Sequence, residues 1–402
     1  MGAVAGIDWA AEKHDVLLSD EHGAVIEARV ISHDEAGIAE LIDLLVDQQV
    51  ERVAIERPEG LLVGRLLAAG ICVLAIHPNR VKAARERFRP AGGKSDRFDA
   101  FVLCELARTD HHRLPALAPS GDETAALRAL SRSREDLVAT RVELANRLRA
   151  ELERFWPGAA AIFAEVDSPI GLAFLERYPA PHDARALGAK RLQAFLDRNR
   201  YPGRRSAEAL LERLGVAPRA SCGEAEVEAR RAIVLALVKA LCPLVEQIRL
   251  LTSQIAGAVR AHPDGGIFLA LFRDPRSSIT AAGLVAEIGD NRVRYPSADA
   301  LAADAGMAPV AVESGKRRAA TFRRGCDHRL RAHFASLADS TRHWHPWAKD
   351  VYSRARARGC DHPHAIRILG RAWTRVLWRC WHDHAPYDPA KHGNLNRLTI
   401  GG

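Results

Sequence analysis

The sequence lacks the features of membrane, secreted and disordered proteins. No stretch of its 402 residues approaches the roughly 18 uninterrupted apolar residues of a membrane span. The first eight residues lack the basic start and long apolar core of a signal peptide. The seven cysteines are odd in number and widely scattered, which argues against a disulfide framework. Because 48% of the residues are hydrophobic, the composition predicts a folded, cytoplasmic globular protein.

The chain has a modest surplus of positive charge, and its distribution matters more than its size. Lys and Arg number 58 against 50 Asp and Glu, a formal net charge of +8. Two basic runs stand out, Arg80–Arg97 and Lys316–Arg331, and each contains seven Lys or Arg residues. Such runs permit a nucleic-acid partner. The candidate contacts are Arg80, Lys82, Arg85, Arg87, Arg89, Lys94, Lys316, Arg317, Arg318, Arg323 and Arg324.

Residues 1–117 are predicted to form an α/β domain. Apolar strands are expected at 3–9, 14–19, 24–31, 52–56 and 71–76, and helices at 38–46 and 60–69. Three strands followed by two strand–helix alternations predict a mixed sheet with flanking helices and a central first strand. This order is typical of the ribonuclease H-like fold, which Holliday-junction resolvases of the RuvC type share.

The rest of the chain is predicted to be mainly helical. Leucine stripes indicate two long helices, at 122–155 and 224–260, around a segment rich in Pro, Gly and Arg at 156–222. We expect an antiparallel coiled-coil spacer over 118–260, which closes within one chain or between two. Residues 261–402 form a third, mostly helical domain, with helices predicted at 280–288, 298–305 and 366–381.

Four carboxylates form a candidate metal site. Asp8 and Glu56 end two predicted strands, and Asp96 and Asp99 begin an apolar helix at a spacing that puts both on one face. Clustered carboxylates repel one another unless a cation neutralises them, and hard oxygen ligands suit Mg²⁺ or Mn²⁺. Taken singly, a strand-end acid is better explained as solvated, and Asp96 or Asp99 as complementing a helix N-terminus. Together they predict a metal centre for phosphoryl transfer.

Ser314 is a candidate nucleophile. By itself, Ser314-Gly315 indicates a turn. Five nearby basic residues, at 316, 317, 318, 323 and 324, are able to hold a phosphodiester beside the hydroxyl. The turn and the nucleophile therefore both stand as interpretations.

The order of these motifs resembles the transposases of the insertion sequence 110 family over nearly the whole chain. Gly6-Ile7-Asp8, Ala54-Ile55-Glu56 and the run from Lys94 to Ala100 look like that family's DEDD tetrad. The stretch 281–325, with Ser314-Gly315 and Arg323-Arg324-Gly325, looks like its C-terminal transposase domain.

The resemblance implies a DNA recombinase guided by a structured bridge RNA, encoded by its own element, that pairs with donor and target DNA. It implies Mg²⁺ on Asp8, Glu56, Asp96 and Asp99, with Ser314 forming a covalent phosphoserine link. It also implies a homo-oligomer, a tetramer of paired dimers, associated with the bacterial nucleoid. Two alternatives stay open: a metal-dependent junction endonuclease in which Ser314 is only a turn, and a catalytically inert nucleic-acid-binding protein.

The C-terminal segment carries competing signals. Cys360-Asp361-His362-Pro363-His364 and Cys380-Trp381-His382-Asp383-His384 repeat one pattern. Zinc binding is one interpretation, although the spacing matches no common finger. Packing of these side chains against tryptophans, or contact with RNA, is the other. For the Trp/Arg-rich helix at 366–381, aromatic residues in the core are expected rather than exposed aromatics that stack on bases.

Overall fold

The computed structural model describes residues 2–88, 95–114, 116–274, 277–314 and 317–392, without the side chains of residues 317 and 318. The chain divides into two compact units. The first comprises Met1–Gly121 with Asn291–Arg294, and the second comprises Asp122–Asp290 with Tyr295–Gly402. Within the described residues, no helix has both the length and the apolar character needed to cross a membrane.

The first unit is built on a five-stranded mixed sheet. Its strands are β1 (Ala3–Trp9), β2 (Lys13–Ser19), β3 (Val25–Ser32), β4 (Val50–Ile55) and β5 (Val73–Ala75). Their order is β3-β2-β1-β4-β5. β2 pairs antiparallel with β1 and β3, whereas β4 pairs parallel with β1 and β5. The central first strand and the mixed sheet are therefore confirmed, and they are consistent with a ribonuclease H-like domain.

Helices cover both faces of this sheet. They are α1 (Glu35–Asp47), α2 (Leu61–Ala68), α3 (Pro78–Phe88) and α4 (Asp96–Thr109). Successive residues of a strand point to opposite faces, and β1 divides accordingly. Ile7 lies in a core with residues of α1 and α2, whereas Val4 lies in a second core with residues of α3 and α4. Odd-numbered residues of β1 thus face α1 and α2, and even-numbered residues face α3 and α4.

Two long helices organise the second unit. They are α5 (Asp122–Phe155) and α10 (Glu224–Ala261). Leu127, near the start of α5, shares a core with Ile255, near the end of α10. Leu152, near the end of α5, shares another core with Val234, early in α10. The helices therefore pack antiparallel within one chain, and a coiled coil in the strict sense stays a prediction.

The segment between these helices and the segment after them are both largely helical. The first holds α6 (Pro157–Ala161), α7 (Pro169–Arg177), α8 (Ala189–Arg198) and α9 (Ala207–Val216). The second holds α11 (Gly265–Leu269), α12 (Ser278–Ile288), α13 (Ala298–Asp304), β6 (Val310–Ser314), β7 (Arg317–Thr321), α14 (His328–Trp344), α15 (Pro346–Ala357) and α16 (His362–His382). The hairpin of β6 and β7 was not predicted, because its first strand is short and exposed along its whole length. The division of residues 118–402 into spacer and C-terminal domain stays a prediction.

Candidate functional site

Two carboxylates come directly after the last residues that β1 and β4 pair with each other. The parallel register pairs Ile7 with Ile55, so Asp8 and Glu56 are the next residues along the two strands. Neighbouring strands lie about 4.8 Å apart. Both acids are partly buried. The sheet therefore sets these two positions side by side at one edge.

The helix α4 lies directly against this part of the sheet. A Cβ atom on Gly6 would overlap the backbone of Ala100 and Cys104 in α4. The absence of a side chain at Gly6 therefore allows the backbone of α4 to pack directly against β1. Asp8 stands two residues further along the strand, so it has the parity of Gly6. The first strand-end acid thus belongs to the face that α4 covers.

The first turn of α4 carries the other two acids. Ser95 caps the helix, and its Oγ accepts a hydrogen bond from the Phe98 N–H at 3.2 Å. Asp96 is exposed, whereas Asp99 is 1% exposed. Acidic residues in a first turn complement the helix dipole, but burial as deep as that of Asp99 requires a closer partner.

Arg85 of α3 is that partner. Its Nε donates to Asp99 Oδ1 at 2.5 Å, and its Nη2 donates to Oδ2 at 2.6 Å. The side chain of Arg85 is itself only 24% exposed. Such a two-point pair satisfies both carboxylate oxygens and offsets much of the cost of burying the charge. Sequence reasoning assigned Arg85 to nucleic acid and missed this contact, because it depends on how α3 and α4 pack.

The acids have the donor chemistry that Mg²⁺ prefers. Asp8, Glu56 and Asp99 supply carboxylate oxygens from two strand ends and the helix beside them. The Arg85 guanidinium shows that a cation already neutralises the most deeply buried carboxylate. Among the described residues, no group of three or more His, Cys, Asp or Glu is close enough to hold a metal ion. Metal binding by these acids together with Asp96 therefore stays a prediction.

Ser314 ends the strand β6 at the tip of a hairpin. Its register partner is Arg317, and Glu313 pairs in register with Arg318. Every residue of β6 is exposed, including Ser314. Gly315 and Lys316 lie outside the described residues. The serine hydroxyl is thus accessible, on a strand whose partner begins with two basic residues.

Four of the six nucleic-acid contacts predicted for the first unit lie on α3. Arg80, Lys82 and Arg87 are exposed on this helix. Arg89 and Lys94 lie outside the described residues. The exposed residues leave their charge available to a phosphate backbone, whereas Arg85 is committed to Asp99 in this structure.

In the second unit, the structure describes the side chains of two of the predicted contacts. Arg324 is exposed, and Arg323 donates from Nε to the Ala308 carbonyl at 3.1 Å. Arg323 is thereby held at the base of the hairpin. Arginines on α16, at positions 367, 371 and 375, lie near it and line the same cavity. Sequence reasoning did not single them out, although their four-residue spacing predicts one stripe on a helix.

The C-terminal aromatic and histidine residues pack mostly with one another. Trp373 and Trp381 are fully buried, which confirms that the aromatic side of α16 faces the core. The ring of His382 lies 4.4 Å from that of Trp378. His362 Nδ1 contacts the Tyr352 hydroxyl at 2.9 Å. These contacts support the packing interpretation of the Cys/His segments.

Comparison with known proteins connects both units to transposases. Residues 5–157 match a transposase family of the DEDD type named for IS110. Residues 276–353 match the family described as "Transposase IS116/IS110/IS902 family".

Individual relatives span nearly the whole chain. A Streptomyces coelicolor mini-circle protein named as a transposase for IS117 is 31% identical over 401 residues, which cover 95% of this chain and 94% of the relative. The 42 kDa protein of the insertion element IS900 from Mycobacterium paratuberculosis is 30% identical over 396 residues, 96% of this chain and 97% of that protein. The y4uE protein of Sinorhizobium fredii, named as a transposase, is 36% identical over 202 residues, 49% and 56% of the two chains.

Proposed function

This chain belongs to the IS110 family of transposases, and we propose that it cuts and rejoins DNA by Mg²⁺-dependent phosphoryl transfer with Ser314 as the nucleophile. An enzyme that acts on DNA follows from the family. The metal, the serine and the RNA partner are the parts that we propose.

The observation that carries the metal proposal is the position of the acids. Asp8 and Glu56 follow paired ends of neighbouring parallel strands, and Asp99 is buried in the first turn of the helix on that face. Carboxylates from separate elements at one sheet edge are a suitable donor set for Mg²⁺ or Mn²⁺. In the proposal, Asp8, Glu56, Asp96 and Asp99 hold the ion.

When bound, Mg²⁺ supplies positive charge that stabilises the negative charge developing on phosphate oxygens. The side chains of this unit supply binding and orientation. Arg80, Lys82 and Arg87 are exposed on α3, where they attract the DNA backbone. Arg85 fixes the carboxylate of Asp99, so it orients one of the proposed ligands.

Ser314 performs the strand exchange in the proposal. Its Oγ attacks phosphorus, an Oγ–P bond forms, and a P–O bond to deoxyribose breaks. The serine proton passes, directly or through solvent, to the departing deoxyribose oxygen. A deoxyribose hydroxyl of another strand then attacks the phosphoserine, restores a phosphodiester and returns the proton to Ser314. The exposure of Ser314 and the adjacent arginines support this assignment.

The partners are proposed from the family resemblance. A structured RNA encoded by the element pairs with donor and target DNA, and a tetramer of paired dimers brings acidic and serine units together. The two compact units within the chain suit such an exchange, because each carries one set of proposed catalytic residues.

Strand cleavage by three variants tests the proposal. With Mg²⁺, RNA and element-end DNA present, Asp8→Asn and Ser314→Ala are each expected to lower cleavage by a factor of about 10³ or more. Ser353→Ala, at an exposed serine of α15, is the matched control and should cleave normally.

The outcomes separate the alternatives. Normal cleavage by Ser314→Ala together with loss in Asp8→Asn identifies a metal-dependent junction endonuclease. Cleavage that survives both substitutions rules out the proposed acids and serine alike. Binding of DNA without any cleavage by the unaltered chain favours a catalytically inert protein.

A further inference from the structure

A cavity of about 580 Å³ opens beside the hairpin of the second unit. One wall is a face of α16, and the other is made by the residues that enter and leave the hairpin, at 306–309 and 320–323. Cavities of this size are typical of ligand sites. The function proposed for Ser314 makes no use of it. We call it the α16 cleft.

The α16 cleft is strongly basic. Arg323, Arg367, Arg371 and Arg375 line it together with His364, and the described lining contains no Asp or Glu. Arginine is suited to phosphate because its planar guanidinium offers paired donors. The composition of the walls therefore favours an anionic ligand. Because several guanidinium groups line the cleft, a ligand with several negative charges is favoured over a singly charged one.

An acid outside the cleft lining pairs only weakly with two of these arginines. Asp299 contacts Arg371 at 3.3 Å and Arg375 at 3.8 Å, with its own side chain 66% exposed. Ion pairs this exposed contribute little and are readily exchanged. Arg367 forms no ion pair within the described part of the chain, and its guanidinium lies 4.8 Å from the ring centroid of Phe322.

The spacing of the arginines follows a strand rather than a single ion. Residues 367, 371 and 375 recur every four positions on α16, so they extend along about 12 Å of helix at 1.5 Å per residue. Neighbouring arginines of this row lie about 6 Å apart along the helix axis, so each can contact a different phosphate of one strand. A run of phosphates is therefore a better match than one isolated phosphate.

Phe322 adds a surface for a base. Its side chain lies in the lining of the cleft and remains 44% exposed. The guanidinium groups of Arg331 and Arg367 lie over the ring, at 4.6 and 4.8 Å from its centroid, so a base that stacks on Phe322 takes the place of one of them. An aromatic ring next to a positively charged groove is the arrangement by which proteins bind single strands, because every unpaired base has a face that stacks. Arginine planes stack on bases as well.

The cleft continues from the proposed nucleophile. β7 runs for five residues from Arg317 to Thr321, and Phe322 follows it. Five strand residues span about 17 Å, so a short stretch of one extended strand can reach from the hairpin tip to the cleft.

We propose that the α16 cleft binds an unpaired segment of the DNA strand whose phosphodiester is attacked by Ser314. The choice of DNA rests on the proposed function, and the basic, aromatic cleft argues for an unpaired strand. The arginines at 367, 371 and 375 contact successive phosphates, and Phe322 stacks on a base. The cleft thereby holds the strand next to the break during exchange.

Binding of short oligonucleotides to the full-length protein tests this site. The probe is a single-stranded DNA of about 12 nucleotides, a length within the range of known single-strand sites, with 5-iododeoxyuridine for photo-crosslinking. RNA of the same sequence and the matching DNA duplex are the comparison ligands. The peptide that contains Phe322 is expected to carry the crosslink.

Substitutions in the cleft show which side chains contribute to the binding of single-stranded DNA. Phe322→Ala should weaken single-strand binding about tenfold or more, and Phe322→Leu should do nearly the same, because leucine keeps apolar bulk without a stacking face. The double variant Arg367→Ala/Arg371→Ala should make the negative slope of log affinity against log salt shallower by about 1.4, because two phosphate contacts are lost. Arg358→Ala removes an exposed arginine of the same unit, outside the cleft lining, and should bind like the unaltered protein.

Each result decides the matter. Unchanged affinity in the Phe322 and arginine variants, or a crosslink elsewhere, overturns the site. A duplex bound as tightly as the single strand overturns the unpaired strand, and tighter RNA binding with the same arginine dependence overturns the choice of DNA. Ser314→Ala should keep cleft binding, so a failure of the proposed nucleophile and a failure of the cleft give different results.

Discussion

Arg85 holds both carboxylate oxygens of Asp99, at 2.5 and 2.6 Å, beneath the surface of the first unit. Asp99 is 1% exposed, so the guanidinium is the counter-charge of a buried anion. A bound Mg²⁺ would share or replace that counter-charge. The pair thus links the stability of the unit to the proposed metal site.

We predict that Arg85→Ala destabilises the protein and makes its stability depend on Mg²⁺. Removing one partner of a buried pair costs about 3–5 kcal/mol, and a loss of about 2–3 kcal/mol is expected here because Arg85 is partly exposed. Saturating Mg²⁺ should restore much of the loss. Thermal unfolding with and without Mg²⁺ measures both effects.

Arg87→Ala is the control for that measurement, because Arg87 is exposed on the same helix. It should unfold like the unaltered protein. If Arg85→Ala loses stability and Mg²⁺ restores none of it, the ion pair is structural only, and Asp99 is not a metal ligand.

Gly6 should tolerate no side chain. An added Cβ would meet backbone atoms of Ala100 and Cys104, and backbone cannot move aside as a flexible side chain does. We expect Gly6→Ala to cost about 1–3 kcal/mol or more, as overpacking does, and to displace α4 from the strand-end acids. Urea unfolding gives the cost.

Gly64→Ala is its counterpart. Gly64 lies within α2, and a Cβ there meets nothing within 4 Å. Alanine should stabilise the protein by about 0.5–1 kcal/mol, because it favours a helix over glycine. Equal effects of the two substitutions would show that α4 does not rest on Gly6.

The second unit should lose stability in mild acid because of His345. Burial, reinforced by the neighbouring His392, lowers the pKa of His345 from 6.5 to about 4. The folded state therefore resists protonation that the unfolded state accepts. Stability is unaffected above about pH 6.5, falls as the pH drops from 6.5 towards 4, and is lower by about 3 kcal/mol below that.

Stability of His345→Gln across this pH range tests the assignment. Its slope between pH 6.5 and 4 should be shallower than that of the unaltered protein, even though it loses the contact of His345 Nε2 with the Tyr387 hydroxyl at 2.9 Å. His343→Gln, at an exposed position of α14, should keep the full slope. The same slope in both variants would exclude His345 as the cause.

The spacing of apolar residues along the sequence predicted most of the fold. The predicted helix at 122–155 has the observed bounds of α5, because a leucine stripe over that length fits only a helix. The first strand was equally predictable, since Ala3–Trp9 is apolar except for Asp8. The hairpin at 310–321 was missed, because its first strand is five residues long and exposed throughout, which gives no buried face to detect.

Residue types carried part of the site. Asp8 and Glu56 were predictable as strand-end acids, because each comes directly after a run of apolar residues. The contact of Arg85 with Asp99 was not, because it depends on the packing of α3 on α4. The contacts of Phe322 with Arg331 and Arg367 were not predictable either, because the three residues come from separate segments of the chain.

The central claim is that Ser314 becomes linked to DNA. The direct measurement uses nicked element-end DNA. Cleavage of this DNA releases a short fragment that carries the hydroxyl needed for the reverse reaction, so any covalent intermediate is trapped. After incubation with RNA and Mg²⁺, denaturation and proteolysis, mass spectrometry locates the attached nucleotide. We predict a phosphodeoxynucleotide on Ser314, present with Mg²⁺ and absent from Ser314→Ala. Cleavage of the nicked DNA with no adduct, or with an adduct on another residue, would contradict the account.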